Sequence, residues 1–161
     1  MFFIIFIYIA DDKMLMGEKG EKPADYFEGV LQLRDVTDEV LNWVHQEIIR
    51  AGRARIAKVQ EFKNGIDIYL SAQHYMQAIG KQLQQRFGGV LKVTNRLFTR
   101  NSLTSRDVYR MTVLFRQLPF KTGDIITHHG EKWKITGVGN QINIQNTTSG
   151  EKKRLPADKL V

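Results

Sequence analysis

Asn64-Gly65 joins two short runs of strand-like sequence, and a helical stripe stands on each side of that pair. Both residues tolerate positive φ, so the dipeptide is a strong signal for a two-residue hairpin. The runs it joins, Arg55 to Gln60 and Ile66 to Leu70, should pair as antiparallel neighbours. Upstream, Val40, Leu41, Val44 and Ile48 recur at helical spacing, which predicts an amphipathic helix over residues 38 to 50. Thr37 suits its N-cap, Asp38 and Glu39 suit the positive end of its dipole, and Gly52 closes it. Downstream, Ala72, Met76, Ile79, Leu83 and Phe87 mark a second buried stripe, capped by Ser71 and stopped by Gly88-Gly89.

A strand precedes this unit at Phe27 to Arg34, and two more follow it, Val90 to Arg100 and Asp107 to Gln117. The order is strand, helix, strand, strand, helix, strand, plus one strand. The fold class is therefore α+β, a ferredoxin-like split βαβ arrangement with an added strand; a KH-like or other α/β sandwich is the alternative. After Leu118-Pro119-Phe120 the pattern changes to short strands at Gly123 to Ile126, Trp133 to Val138 and Gln141 to Ile144, with Gly130, Gly139 and Gly150 at turns. No helix fits there, and the stretch reads as a small SH3-like β-barrel. At about forty residues it is barely large enough alone, so it should dock on the first unit. The expected organisation is a leader and linker over 1–23, an α+β domain over 24–118 and the barrel over 119–161.

The leader opens with an apolar run from Phe2 to Ala10. A membrane helix needs roughly 20 apolar residues, so this run does not span. Asp11-Asp12 follow it where a signal peptide would have a small-residue cleavage site. It reads as an extra strand or as an upstream extension ahead of Met14 or Met16. Gly17 to Lys22 reads as a flexible linker. The chain of 161 residues has no cysteine. That excludes disulfides, cysteine-based metal sites, Fe–S clusters and thiol catalysis.

The charge is unevenly placed. Between Arg86 and Arg116 lie six arginines and one lysine against the single acid Asp107, nearly the whole of the formal net charge of +7. Lys92, Arg96, Arg100, Arg106, Arg110 and Arg116 share one parity, and so one face of a hairpin. With symmetric pairing, Arg96 faces Arg110 and Arg100 faces Arg106, with Phe98 opposite Val108 between them. Leu91, Val93 and Leu97 then meet Phe115, Val113 and Tyr109 on a core face. Like charges directly opposed destabilise a sheet by up to about 1 kcal/mol per pair. A phosphate backbone over them would relieve that repulsion and make binding salt-dependent. The plainer alternative is a solvated face whose arginines pair with acids elsewhere.

Other signals are weaker. The loop Asn101 to Ser105 suits phosphate or sugar contacts and suits an ordinary turn equally. Arg50, Arg53, Arg55 and Lys58 form a second basic cluster, with Lys63 just before the hairpin turn, though basic residues at a helix C-terminus also favour the helix itself. Lys152-Lys153-Arg154 is either an RNA-touching edge or a guard against edge pairing. His45 and His74 lie on different helices without metal-ligand spacing. His128-His129 lie in a barrel turn, and since adjacent residues on a strand point oppositely they make a poor ligand pair. No phosphate-binding loop or nucleophile elbow occurs, and no catalytic set emerges. The expected function is therefore non-enzymatic nucleic-acid binding, with candidate residues Arg86, Lys92, Arg96, Phe98, Arg100, Arg106, Arg110, Lys63, Lys152, Lys153 and Arg154. No cofactor and no metal are expected. A protein–protein adaptor with a basic face for an acidic partner is the alternative. A third reading, an RNA-processing enzyme, would have only His74 or His128 as its base.

Tyr26 to Arg34 (YFEGVLQLR), Phe62 to Leu70 (FKNGIDIYL), Gln85 to Arg100 (QRFGGVLKVTNRLFTR) and Thr104 to Pro119 (TSRDVYRMTVLFRQLP) resemble an archaeal member of the nonsense-mediated-decay-protein-three family. Gly123-Asp124 and Lys152 to Pro156 extend the resemblance toward the C-terminus. In eukaryotes it implies a biogenesis factor and nuclear-export adaptor at the intersubunit face of the large ribosomal subunit. One part of such a factor resembles a translation factor that visits the tRNA exit site. Without a nucleus, the implied role is cytoplasmic subunit maturation or quality control. The implied partners are ribosomal RNA, the large subunit and ribosomal proteins, with no membrane and a monomer off the ribosome. The family's N-terminal cysteine-rich zinc domain has no counterpart in this cysteine-free chain. The chain is then a fragment, or the zinc part is encoded separately or lost, and functions tied to that part do not carry over.

Overall fold

The computed structural model describes residues 25–100 and 107–157, with the side chain of Arg100 left out. The leader, the linker, the loop Asn101 to Ser105 and Arg106 lie outside the described residues.

The architecture is α+β, with two helices and two sheets. Strands β1 (Gly29–Arg34), β2 (Ile56–Phe62), β3 (Gly65–Leu70), β4 (Val90–Arg100) and β5 (Asp107–Arg116) form one sheet in the order β2-β3-β1-β5-β4. Helices α1 (Asp38–Ala51) and α2 (Gln73–Phe87) cover one face of it. Alternation decides which residues face them. Leu31 and Leu33 of β1, Ile66, Ile68 and Leu70 of β3, and Met111, Val113 and Phe115 of β5 are buried beneath Val40, Val44 and Ile48 of α1 and Met76, Ile79 and Leu83 of α2.

The added strand does not extend the edge. β5 runs parallel to β1 and sits beside it, while β4 lies outside β5 as an antiparallel edge. Burial explains the order, because β5 carries three fully or nearly buried core residues whereas β4 carries the exposed Lys92, Asn95 and Arg96. Charged side chains on an edge strand also discourage pairing with other chains.

Both helix starts differ in detail from the sequence reading. Thr37 occupies the N-cap of α1, but its hydroxyl makes no capping bond, and its backbone N–H donates to the Gln117 side chain at 2.8 Å. Ala72, not Ser71, caps α2; Ser71 Oγ instead accepts from the Arg55 N–H at 2.8 Å.

Strands β6 (Ile125–His128), β7 (Glu131–Val138), β8 (Gln141–Asn146) and β9 (Lys152–Pro156) form a second, antiparallel sheet in chain order. Trp133, Ile135, Ile142 and Ile144 build its core with Leu118 and Ala157, and Val90 of the first sheet packs against it. Among the described residues, no helix is long and apolar enough to cross a membrane.

Candidate nucleic-acid interface

The hairpin β4–β5 carries the cationic strip, and its pairing bears out part of the symmetric expectation. Arg96 pairs with Arg110, Leu91 with Phe115, Val93 with Val113 and Leu97 with Tyr109. Nearer the loop the expectation fails. A bulge between Leu97 and Thr99 inserts Phe98 as an extra residue, so Thr99 pairs with Val108 and Arg100 with Asp107, not with Arg106. The strip thus holds one directly opposed arginine pair among the described residues, and Arg100 stands opposite an acid. The Leu97–Tyr109 pair is not core either. β1 starts opposite Met111, and the hairpin runs past that point, leaving Leu97 59 % and Tyr109 50 % exposed.

The bulge has a chemical consequence. The Phe98 ring lies over the Arg110 guanidinium, with Cζ 3.3 Å from the ring centroid, and Phe27 takes the other side at 4.0 Å. Phe27 meets Tyr69 edge-on at 4.9 Å, and the Lys58 ammonium lies 5.4 Å from the Tyr69 ring. A line of aromatics and cations, Phe98, Arg110, Phe27, Tyr69 and Lys58, therefore crosses the face opposite the helices. Among the described residues, neither Lys92 nor Arg96 forms an ion pair. Arg116, of the same parity, is paired with Asp35 at 3.4 Å.

The remaining candidates are dispersed. Arg86 stands on α2 in the helix layer, beside the rings of Trp43 and Phe87. Lys63 lies beyond the opposite edge strand, lining a cavity of about 270 Å³ with Asp35, Glu61 and Asn64. Its mixed charges offer an anion no consistent field. Lys152, Lys153 and Arg154 lie on β9, the edge of the second sheet, and line a groove of about 320 Å³ with Thr136, Asn143 and Gln145. Lys153 is also paired with Glu151 at 3.3 Å and sits over the Trp133 ring.

The histidines differ from expectation in one respect. His129 has φ 52 and Gly130 φ 80, so the β6–β7 turn folds His129 back and brings its ring to 4.1 Å from that of His128. Two imidazoles do not make a metal site, and no group of three or more His, Asp or Glu able to hold a metal occurs among the described residues. On α1, burial holds His45 below its ordinary pKa.

Residues 26–116 match the family described as NMD3, second domain. The chain belongs to the NMD3 family. The match spans β1 through β5, which is the whole helix-covered sheet including the arginine hairpin, and leaves the four-stranded sheet outside it. The 161 residues of this NMD3-family chain include no cysteine. No curated protein matches the chain.

Sequence reasoning missed Phe27 and Tyr69 and placed Lys58 in a different cluster. A signal was present for Tyr69. Ile66, Ile68 and Leu70 assign even positions of β3 to the core, so Tyr69 is an aromatic on the polar face.

Proposed function

We propose that this chain binds ribosomal RNA on the large subunit and acts there in subunit maturation or quality control, without chemistry of its own. Membership of the NMD3 family points to ribosomal subunit biogenesis or export. The observation that carries the finer reading is the opposed Arg96–Arg110 pair, on a face where, among the described residues, Lys92 and Arg96 have no carboxylate partner. In the free protein, opposed like charges are unfavourable. A phosphate backbone laid across the hairpin removes that repulsion and releases counterions. Lys92, Arg96, Phe98, Arg100, Arg106 and Arg110 make this contact, and Lys152, Lys153 and Arg154 make a second one from the other sheet. Arg86 and Lys63 lie off this surface and stand as peripheral contacts.

On this reading the helix-covered part, 24–118, is a ferredoxin-like RNA-binding domain in which β5 has entered between β1 and β4. Residues 119–161 are an SH3-like unit docked on it. The protein is cytoplasmic, requires no cofactor and is monomeric off the ribosome.

Replacing Arg96, Arg100, Arg106 and Arg110 together with glutamine tests this. Affinity for ribosomal RNA should fall, and the slope of log K against log salt should flatten by about 3. Unchanged binding with an unchanged slope rejects the proposal. The exposed Leu97–Tyr109 pair favours a second reading, a protein adaptor whose basic surface meets an acidic partner. Survival of the co-purifying complex after nuclease treatment would select it.

A further inference from the structure

We infer that Phe98 is a stacking platform for an unpaired RNA base, which makes single-stranded or bulged RNA, not duplex, the ligand class of the arginine hairpin. The inference rests on the RNA-binding reading above and adds to it a particular ring.

Phe98 is 54 % exposed although it is a large apolar residue within the edge strand β4. One face of its ring is covered by the Arg110 guanidinium at 3.3 Å, so its exposed surface is the remaining face and edge. Arg110 is itself backed by Phe27 at 4.0 Å, and Phe27 is braced edge-on by Tyr69. The ring is therefore held from behind. A pre-oriented ring loses little freedom when a ligand lands on it. The bulge supplies the geometry: as the extra residue of β4, Phe98 is released from cross-strand pairing and can swing over Arg110.

The chemistry around the ring selects the occupant. Arg96 precedes Phe98 by two positions on the same strand, and Lys92 by six, and neither has an ion pair among the described residues. A ligand that covers this ring must present a flat π-face and negative charge close together. A nucleotide does so when its base is free. In a duplex each base is already stacked on its neighbours, so no base face is free to lie on the ring. An acidic peptide supplies the charge without the flat face.

The test uses the full chain and two probes, an oligoadenylate of roughly a dozen nucleotides and an RNA duplex of similar length, read by fluorescence anisotropy at low salt. Phe98→Ala should weaken oligoadenylate binding by about tenfold or more and leave duplex binding unchanged. Phe98→Trp should retain the affinity, and the added indole emission should be quenched by oligoadenylate. Tyr109→Ala, which removes a similarly exposed aromatic from the other face of the hairpin, should change neither. Wild-type oligoadenylate affinity in Phe98→Ala overturns the platform and leaves the RNA reading standing, as does binding of duplex alone. An equal loss in Tyr109→Ala overturns the assignment to this face. Binding of neither probe by the unaltered chain overturns both readings.

Discussion

Asn140 holds Leu91 by both of its backbone groups. Its Oδ1 accepts from the Leu91 N–H at 2.7 Å, and its Nδ2 donates to the Leu91 carbonyl at 3.0 Å. Gln84 Nε2 donates to the same Oδ1 at 2.9 Å. A side chain in the β7–β8 turn thus acts as a one-residue strand against the outer edge of β4, covering groups that would otherwise template pairing with another chain. It also ties the second sheet to the first.

Asn140→Ala removes all three bonds. Each is solvent-exposed, so the net loss should be about 1–2 kcal/mol in total. The midpoint of urea unfolding should fall accordingly. Protease should also cut faster in the segment 117–124 between the sheets, because that connection then opens without global unfolding.

Gly80 sits in the interior of α2, where helix propensity alone favours alanine by about 1 kcal/mol. A Cβ at that position would lie 2.6 Å from Val113 Cγ1 and 3.0 Å from Leu91 Cδ1. Gly80→Ala should therefore destabilise by about 1–3 kcal/mol, as overpacking does, and thermal denaturation will show the sign.

Arg34 and Asp67 form an ion pair at 2.6 Å, with side chains only 15 % and 7 % exposed. Gln32 donates to the other Asp67 oxygen at 2.9 Å. Arg34→Met leaves the carboxylate buried with one neutral partner and should lower stability by about 3–5 kcal/mol. The double variant Arg34→Met, Asp67→Leu should recover most of that loss in the same denaturation experiment, because no charge is stranded.

Arg96→Thr separates stability from binding. Removing one member of the opposed pair should raise the stability of the free protein by several tenths of a kcal/mol at low salt, an effect that vanishes at high salt. The same change should weaken ribosomal RNA binding. A gain in stability alongside a loss of affinity marks a residue retained for its ligand.

Tyr75 gives the alkaline limb of stability. Burial, aided by the charge of Glu47, pushes its phenol up to about 12, and its hydroxyl donates to the Glu47 carbonyl at 2.9 Å. In the unfolded chain the phenol ionises near its ordinary value of about 10. The raised value means that its contribution is complete below pH 10 and is lost as pH rises toward 12. Tyr75→Phe should lower stability by a constant amount below pH 10 and flatten the decline between pH 10 and 12, measured as denaturant midpoints.

Much of the local structure was legible. Periodicity located both helices and the pair of long strands, because the side on which a residue falls depends on its own neighbours; the hairpin expected at Asn64-Gly65 turns one residue earlier, at Lys63-Asn64, with Phe62 paired to Gly65. The core of α1 followed from that alone, whereas the Arg96–Arg110 pairing also needed symmetric pairing across the loop. The Phe98 bulge was not legible, because one inserted residue changes the register without changing composition. The exposure of Leu97 and Tyr109 was not legible either, since an apolar pair on the expected core face says nothing of where the helices stop.

By itself the sequence determined an α+β chain with a basic hairpin, no thiol chemistry and a family resemblance, all carried by residue type and short-range spacing. The tertiary structure decided that β5 enters between β1 and β4, that Arg116 is taken by Asp35 and that Arg110 is clasped between Phe27 and Phe98. Each of these joins residues far apart in the chain. Such contacts depend on which strands become neighbours and in what register, and local periodicity carries no record of either.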